Sequence, residues 1–503
     1  MPLDSVSILE GNTFVVSDRR GDLEATPAVT HGLFVNDTRF LSQWVLTVNG
    51  LRPKLLSVDD LAFNKVGFYG ALATGTVYLD SHLSIVRRRA INHGFREDIT
   101  LLNHDKTPID LDVRLQVAAD FADLFEVKDT LANPAPKKGK LSHKAEGKRL
   151  LFTYERGSFI RRTAVSASLP AEVSEEGLRF LVHLDQQSDW TVSLEVEPVF
   201  VRALRVDSAR SPRGGAAAED DVVSWVARAP KLVSSSEPLG LTYRRCLMDL
   251  AALRFHTPIT SEALPAAGLP WFMTIFGRDS LITSFEALPF FPEMSRATLK
   301  TLALLQGQAD DPFRDEEPGK ILHELRFGEL TAFEERPHSP YFGAADSTPL
   351  FLILLEEYVR WTGDVELATD LLPNVRAALS WIDNYGDRDK DGYVEYERRN
   401  RQTGLDNQCW KDSWDSIAFR DGTIAPTPRA TCEIQGYVYD AKRRVARLAR
   451  EVYKEAARVA RAMLEAAEFF HHRLPEAFGG YPREATKFPV EYPTACSPQA
   501  WAT

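Results

Sequence analysis

The sequence predicts an antiparallel β-sandwich followed by an (α/α) helical-hairpin barrel. Three observations lead there. Apolar and polar residues alternate with period two as far as about residue 200, the pattern of half-buried strands. From about residue 237 the apolar spacing changes to three and four, the pattern of amphipathic helices. The loops joining those helical segments alternate between short and long, and the long ones collect the aromatic and charged residues. Hairpins with their rich loops at one end describe a helical barrel whose site lies at the loop end.

The strand-forming half reads in order. GNTFVVSDRRGDL (11–23) is strand, polar turn, strand, and HGLFVNDTRFLSQWVLTVNG (31–50) repeats the scheme with Asn-Asp and Asn-Gly turns. Residues 82–121 alternate throughout, most clearly in IDLDVRLQV (109–117), and DWTVSLEVEPVF (189–200) closes the series. Many short strands separated by turns predict a sandwich over 1–203. The lysine-rich PAPKKGKLSHKAEGKR (134–149) reads as a solvated hairpin loop. Asp37 and Arg39 in VNDTRF stand either as a buried ion pair or as a loop offered to a pocket. Residues 204–236 lose the alternation and gain Ser, Gly, Pro and charge, as a linker does, with room for a short helix in VVSWVARA.

Residues 237–503 then carry the helical pattern, in EPLGLTYRRCLMDLAALRF, RDSLITSFEALPF, EMSRATLKTLALLQGQ, DSTPLFLILLEEYVRWTG and DVELATDLLPNVRAALSWIDNYG. One run is anomalous. From Tyr437 to His472 there is neither glycine nor proline, a stretch longer than the usual globular helix of about 8 to 20 residues. It predicts one very long helix, or two helices joined without their connection.

Composition narrows the function classes. The chain has 503 residues, 44% of them hydrophobic, and a formal net charge of −11, a soluble, multidomain composition that repels nucleic acid and anionic membranes. A neutral ligand such as a sugar fits that field. Cys246, Cys409, Cys432 and Cys496 lack any paired spacing for zinc or redox chemistry. With no signal-peptide pattern at the start and no apolar run of membrane length, a cytoplasmic protein is expected.

The chemistry-bearing stretches lie on the long loops. NQCWKDSWDSI (407–417) sets Asp412 and Asp415 among Trp410 and Trp414 beside Lys411. Apolar surroundings raise a carboxyl pKa, as a general acid needs; the plainer alternative is that Asp415 caps a helix and Asp412 pairs with Lys411 or a distant arginine. LPWFMTIFGRDSLI brings Trp271, Phe272 and Phe276 ahead of Arg278 and Asp279, donor and acceptor beside aromatic faces that suit a pyranose, though Asp279 or Ser280 also reads as an N-cap. PGKILHELRFGEL gathers Lys320, His323, Glu324 and Arg326 on either an extended pocket segment or a solvated turn. HSPYFGAADSTPLFL places Asp346 ahead of a helix, where one of Asp346, Ser347 and Thr348 is expected to cap. DRDKDGYVEYE imitates a calcium loop through Asp387, Asp389, Asp391 and Gly392, but Arg398 stands at the twelfth position, so a polar turn is expected. Near the tail, Glu476, Glu484 and Glu491 offer carboxylates on a further loop. With Asp412 this provides the two separated acids of an inverting glycosidase, roughly 6.5–9.5 Å apart.

Together FVVSDRRGDL, GLFVNDTRFLSQW, VAADFADLFEVK, LPWFMTIFGRDSLI, PGKILHELRFGE, YFGAADSTPLFL, NQCWKDSWDSI and YPTACSPQAWA resemble the bacterial amylo-α-1,6-glucosidase or glycogen-debranching-type proteins. That resemblance implies an N-terminal β-sandwich, a glucoamylase-like barrel of six helical hairpins, and hydrolysis of α-glucosidic bonds, at α-1,6 branch points of glycogen-like glucans, with inversion and without cofactor or metal. It implies that Arg278 and Asp279 hold the non-reducing glucose, that Asp412 rather than Asp415 is the acid, and that Glu476, in LPEAFGGY before SPQAW, is the base. Trp271, His323, Glu324, Arg326, Asp346, Trp410, Lys411 and Trp414 complete the candidate binding set for an α-glucan or oligosaccharide. An α-glucosidase for short oligosaccharides and a non-catalytic glucan binder are the alternatives. The latter follows from helix count: six hairpins need about twelve helices of the usual length, and residues 237–503 hold about eight. An internal portion near EVYK and a C-terminal helix are therefore expected to be missing.

Overall fold

A computed structural model describes residues 4–59, 62–72, 82–91, 94–129, 137–202, 205–208, 217–257, 259–260 and 262–454. Glu476, Glu484, Glu491, Cys496 and the second half of the 437–472 run lie outside the described residues. The architecture is antiparallel sheets followed by a helical region, as the change of period predicts. The chain divides into two compact units. The first holds Met1–Phe255, Gly268–Thr274 and Phe327–Phe333; the second holds His256–Ala267, Ile275–Arg326 and Glu334–Thr503.

Among the described residues the first unit contains sheets of four, nine and five strands. Strand Ile109–Ala118, from the most regular alternation in the sequence, lies between Gly177–Leu184 and Gln43–Val48, with Val113 opposite both Phe180 and Val48. Its Leu111, Val113, Leu115 and Val117 are buried in a core shared with Ile99, Val165 and Val192 of the nine-stranded sheet and Val15 and Leu33 of the four-stranded one. Each such side chain contributes about 1.5–3 kcal/mol of burial free energy. The turn signals take the required backbone: Asn36 and Asp37 have φ of 45° and 63°, and Asn49 and Gly50 have 51° and 77°, the two positive φ values of a type I′ hairpin. The lysine-rich stretch forms an exposed strand, Lys140–Glu146, paired with Arg149–Arg156.

Four charges sit inside this core. Arg87 and Arg89 occupy inward positions of strand Leu83–Ile91, and Glu97 is paired with Arg89 on the neighbouring strand. Arg87 donates to Glu97 Oε1 at 3.0 Å and to Asp22 Oδ1 at 2.6 Å, Arg89 donates to Glu97 Oε2 at 2.7 Å, and the Trp44 indole N–H donates to Oε1 at 3.1 Å. Two guanidiniums balance two carboxylates. Glu97→Gln breaks that balance, leaving two buried cations on one anion. It is expected to cost about 3–5 kcal/mol, read as a lower urea midpoint for the loss of β-sheet circular dichroism.

Helices are named α1 (Leu124–Asp129), α2 (Ala217–Ala227), α3 (Glu237–Ala252), α4 (Gly277–Ala287), α5 (Pro292–Leu304), α6 (Glu329–Ala332), α7 (Ser347–Thr362), α8 (Val365–Asp370), α9 (Leu372–Trp381) and α10 (Cys432–Glu451). Helix α6 belongs to the first unit, held by carboxylates of the sandwich. Asp37 Oδ2 accepts the Phe327 N–H at 2.9 Å, Asp123 Oδ2 accepts that of Leu330 at 3.0 Å, and Glu329 accepts from the Tyr154 hydroxyl at 2.6 Å and Arg156 at 3.0 Å. Asp37 and Arg39 are therefore not a pair. Arg39 binds Asp120 instead, at 2.5 Å, while Asp37 sits in the turn before strand Thr38–Leu41 with φ 63° and gives its Oδ2 to the Phe327 amide.

Burial pushes the Asp123 carboxyl up to about 7, with Asp37 and Glu126 adding and the amides of Leu330 and Phe125 opposing. Against an ordinary value of 3.8, the folded state binds more protons across that window. The contribution of this group is complete below the ordinary value and is lost as pH rises through about 7. Replacing Asp123 with Asn removes the dependence. Wild type should thus lose thermal stability relative to Asp123→Asn on going from about pH 5 to about pH 8. Calorimetric scans across that range check it; a constant difference rejects the assignment.

In the second unit α7 is central, packed against α4, α5, α9 and α10. LFLILL (350–355) is buried on every side, as a helix apolar all round must be, and Gly363 ends it at φ 74°. One helix over 437–472 does not form. Helix α10 ends at Glu451, where the N–H groups of Val452 and Tyr453 both fall on the Leu448 carbonyl and Lys454 turns to φ 51°. The Tyr453 hydroxyl donates to the Ala368 carbonyl at 3.1 Å, so the side chain after the helix is tied back to α8. Among the described residues no helix is long and apolar enough to cross a membrane, and Cys246, Cys409 and Cys432 are free thiols.

Candidate active site

A short strand, Ile275–Phe276, runs directly into α4 and pairs with Glu324–Leu325, Phe276 lying opposite Glu324. The Gly277 N–H donates to the His323 carbonyl at 2.8 Å. Helix α4 therefore begins at Gly277 with Phe276 as its N-cap position and no side-chain capping bond. Asp279 and Ser280 lie within the first turn, so neither is the expected cap; the Ser280 hydroxyl donates instead to the Pro265 carbonyl at 2.8 Å.

Starting α4 at this strand end buries Arg278 and fixes its partners. Its Nη1 donates to Asp346 Oδ2 at 2.9 Å and to the Cys409 carbonyl at 3.1 Å, and its Nη2 donates to Asp412 Oδ2 at 3.1 Å. Three segments, 68 and 134 residues from Arg278, thus meet at one guanidinium. Burial opposes its charge, but Asp346, Asp279 and Asp412 outweigh that and hold the guanidinium firmly protonated. Asp346 has no solvent exposure. It occupies the N-cap position of α7, yet its side chain makes no capping bond, nor do Ser347 and Thr348 cap; the Thr348 hydroxyl accepts the Ile321 N–H at 2.9 Å. Burial raises the carboxyls of both Asp346 and Asp279 above the ordinary range, against the pull of Arg278.

Asp412 differs from its expected setting. Its side chain is 44% exposed, and Trp410 and Trp414 are 49% and 67% exposed. No apolar cage encloses the carboxylate; its hydrogen bond runs to a distant arginine. Sequence adjacency misled here because the loop turns its indoles outward, with Asn407 accepting from Tyr396 and donating to the Ser413 carbonyl at 2.6 Å. Lys411 is exposed, its ammonium 5.5 Å from the Trp410 ring centroid. Asp415 is exposed as well.

Within PGKILHELRFGEL, residues 320–326 are buried around the short strand Glu324–Leu325, not a solvated turn. Lys320, His323, Glu324 and Arg326 are all buried. Glu324 accepts from Arg326 at 2.6 Å and pairs with His338 at 3.2 Å. Burial opposes its charge, but Arg326 and His338 outweigh that and bring the carboxyl down to about 2. Burial holds the His323 imidazole down at about 3, hence neutral, edge-on to Phe276 and Tyr341. His338, Tyr341 and the Cys409 carbonyl had no sequence signal, because each acts through a contact that only the folded chain creates. Trp271 lies in the Gly268–Thr274 segment of the first unit, and Glu476 lies outside the described residues.

The calcium-like loop closes on its own amides. Asp389 accepts the Asp391 N–H at 3.1 Å, Asp391 that of Tyr393 at 2.8 Å, and Glu395 that of Arg388 at 2.9 Å. Asp387, Asp389 and Glu395 present oxygens within 4.8 Å of one another. Burial, with the acidic neighbours adding, pushes Glu395 up to about 7.

Residues 8–195 match the family model described as the N-terminal domain of some glycogen debranching enzymes. The sandwich is therefore similar to that debranching-type N-terminal domain. Its match runs from the first strand into strand Asp189–Arg202, taking in Asp37, Asp123, Tyr154 and Arg156. It stops short of Arg278, Asp346 and Asp412. No curated protein matches the chain. Among solved structures, a protein assigned as a kojibiose phosphorylase from the human microbiome shares 8% identity and a TM-score of 0.46 over 92% of this chain and 65% of its own. The chain therefore spans about two thirds of that protein's length. A glycosyl hydrolase of family 92 shares 10% identity and a TM-score of 0.34 over 89% and 72%. A galactose mutarotase-like protein from Lactobacillus casei ATCC 334 shares 9% identity and a TM-score of 0.23 over 39% and 99%. The family similarity covers residues 8–195, and the chemistry of the second unit rests on its own residues.

Proposed function

We propose that the protein is a glycoside hydrolase acting on α-glucosidic bonds, at α-1,6 branch points of glycogen-like glucans, by inverting acid/base catalysis. The observation that carries this reading is the Arg278 cluster, in which a buried cation and a buried carboxylate hold one carboxylate, Asp412, at the solvent edge. The debranching-type domain at 8–195 supports the substrate class, and a formal charge of −11 suits a neutral glucan.

Asp412 protonates the leaving glycosidic oxygen. Arg278 keeps two of its five N–H groups beyond those bonded to Asp346, Cys409 and Asp412, and Asp279 adds an acceptor beside them. These bind hydroxyls of the non-reducing glucose, with Trp410, Lys411 and Trp414, which flank Asp412 in sequence, completing the binding set. Glu476 is the base that activates water, on the strength of its Leu-Pro-Glu setting. No cofactor enters this mechanism.

The test is glucose release from a limit dextrin, with the product anomer followed by proton NMR. Asp412→Asn is expected to lower kcat by about 100- to 10,000-fold, the usual size of a general acid contribution, and Glu476→Gln by a similar factor. β-Glucose should appear first. Release that survives both substitutions rejects these roles, and an α-first product rejects inversion.

A further inference from the structure

The geometry assigns Asp346 as a positioning residue, whose task is to hold the Arg278 guanidinium and through it the Asp412 carboxylate. It deepens the reading above, and its kinetic arm rests on that reading. With no solvent exposure, Asp346 cannot touch a sugar. It also forgoes the usual duty of an aspartate in its place: α7 has 16 residues and starts at Ser347, yet Asp346 accepts none of the helix's first N–H groups through its side chain. Oδ2 is turned to Arg278 Nη1 at 2.9 Å instead, and Oδ1 has no hydrogen-bond partner among the described residues.

What Arg278 does with its other end gives that choice a purpose. The guanidinium is planar and rigid, so fixing Nη1 fixes the direction of Nη2. Nη1 is fixed twice, by Asp346 and by the Cys409 carbonyl. Nη2 then meets Asp412 at 3.1 Å, three residues beyond Cys409 on a loop whose indoles are bare. Among the described residues this is the one hydrogen bond of the Asp412 side chain. A purely structural ion pair would need no third member at the solvent edge.

The experiment compares Asp346→Ala and Asp346→Asn with wild type, using hydrogen exchange of the 407–417 peptide and steady-state glucose release. Asn retains an oxygen for Arg278, so it should keep kcat within about 5-fold, whereas Ala should lower kcat about 100-fold with KM within about 3-fold. Exchange in 407–417 should speed up in Ala and stay near wild type in Asn. A folded Ala variant with wild-type kcat and exchange overturns the assignment, and so does a rise in KM alone, which would mean sugar contact. Should Ala not fold, Asp346→Ser, which can cap α7, carries the same readings. If wild type releases no glucose, the hydrolase reading falls while the exchange comparison still decides for or against positioning.

Discussion

Arg278→Met should lower stability by about 3–5 kcal/mol, the size expected when one member of a buried ion pair is removed. The methionine stem fills much of the volume, so the loss is one of charge and hydrogen bonds. Asp346 would be left wholly buried without its cation, and the Cys409 carbonyl without its donor. The decisive comparison is with the double variant Arg278→Met/Asp346→Leu, which removes the stranded carboxylate as well. It should be more stable than the single variant, with a non-additive cycle, although neither should release glucose. Thermal melts of both proteins check this. A single variant as stable as wild type would mean that the pair does not form.

Gly277→Ala is the second large effect. A Cβ at this position would stand 2.0 Å from the Leu322 carbonyl oxygen and 2.8 Å from Ser347 Oγ. The obstacle is space rather than φ, and the nearest atom is backbone, so the strand and the α4 start must move apart. Overpacking of this kind costs about 3 kcal/mol. It also shifts the next residue, Arg278, and a misplacement of about 1 Å can cost on the order of 100-fold in rate. Gly240→Ala in α3 is the control, because its Cβ would meet nothing within 4 Å; there alanine should stabilise by up to about 1 kcal/mol through helix propensity. Equal stability and turnover in the two variants would refute the close approach at Gly277.

The fold was legible where one physical variable dominates. Burial on one face of a sheet forces a period of two, so IDLDVRLQV announced its strand, and burial all round forces an unbroken apolar run, so LFLILL announced a core helix. The start of α4 was not legible. Asp279 and Ser280 are good capping residues, but pairing of Phe276 with Glu324 sets the N-cap position at Phe276, before either of them. Arg87, Arg89 and Glu97 occupy inward strand positions that polarity alone assigns to solvent, and only their mutual pairing makes them tolerable inside. At the site, the stretches around Arg278, Asp346 and Asp412 stood out individually. What joins them is a single guanidinium contacting residues remote in sequence, and nothing in local pattern encodes that. The long-helix expectation failed for a related reason: absence of glycine and proline permits a helix to continue but does not compel it.

The division into units has a practical corollary for anyone dissecting this polypeptide. Passing from one unit to the other at 255–256, 267–268, 274–275, 326–327 and 333–334, the backbone is interleaved rather than strung end to end. Cutting in the 204–236 region would deprive the sandwich fragment of the heptapeptide Phe327–Phe333, and with it the amides that occupy Asp37 and Asp123. A transplant of the N-terminal module into another scaffold should therefore carry that heptapeptide along, and a chimera assembled at a single junction would begin life with unfilled acceptors in its interior.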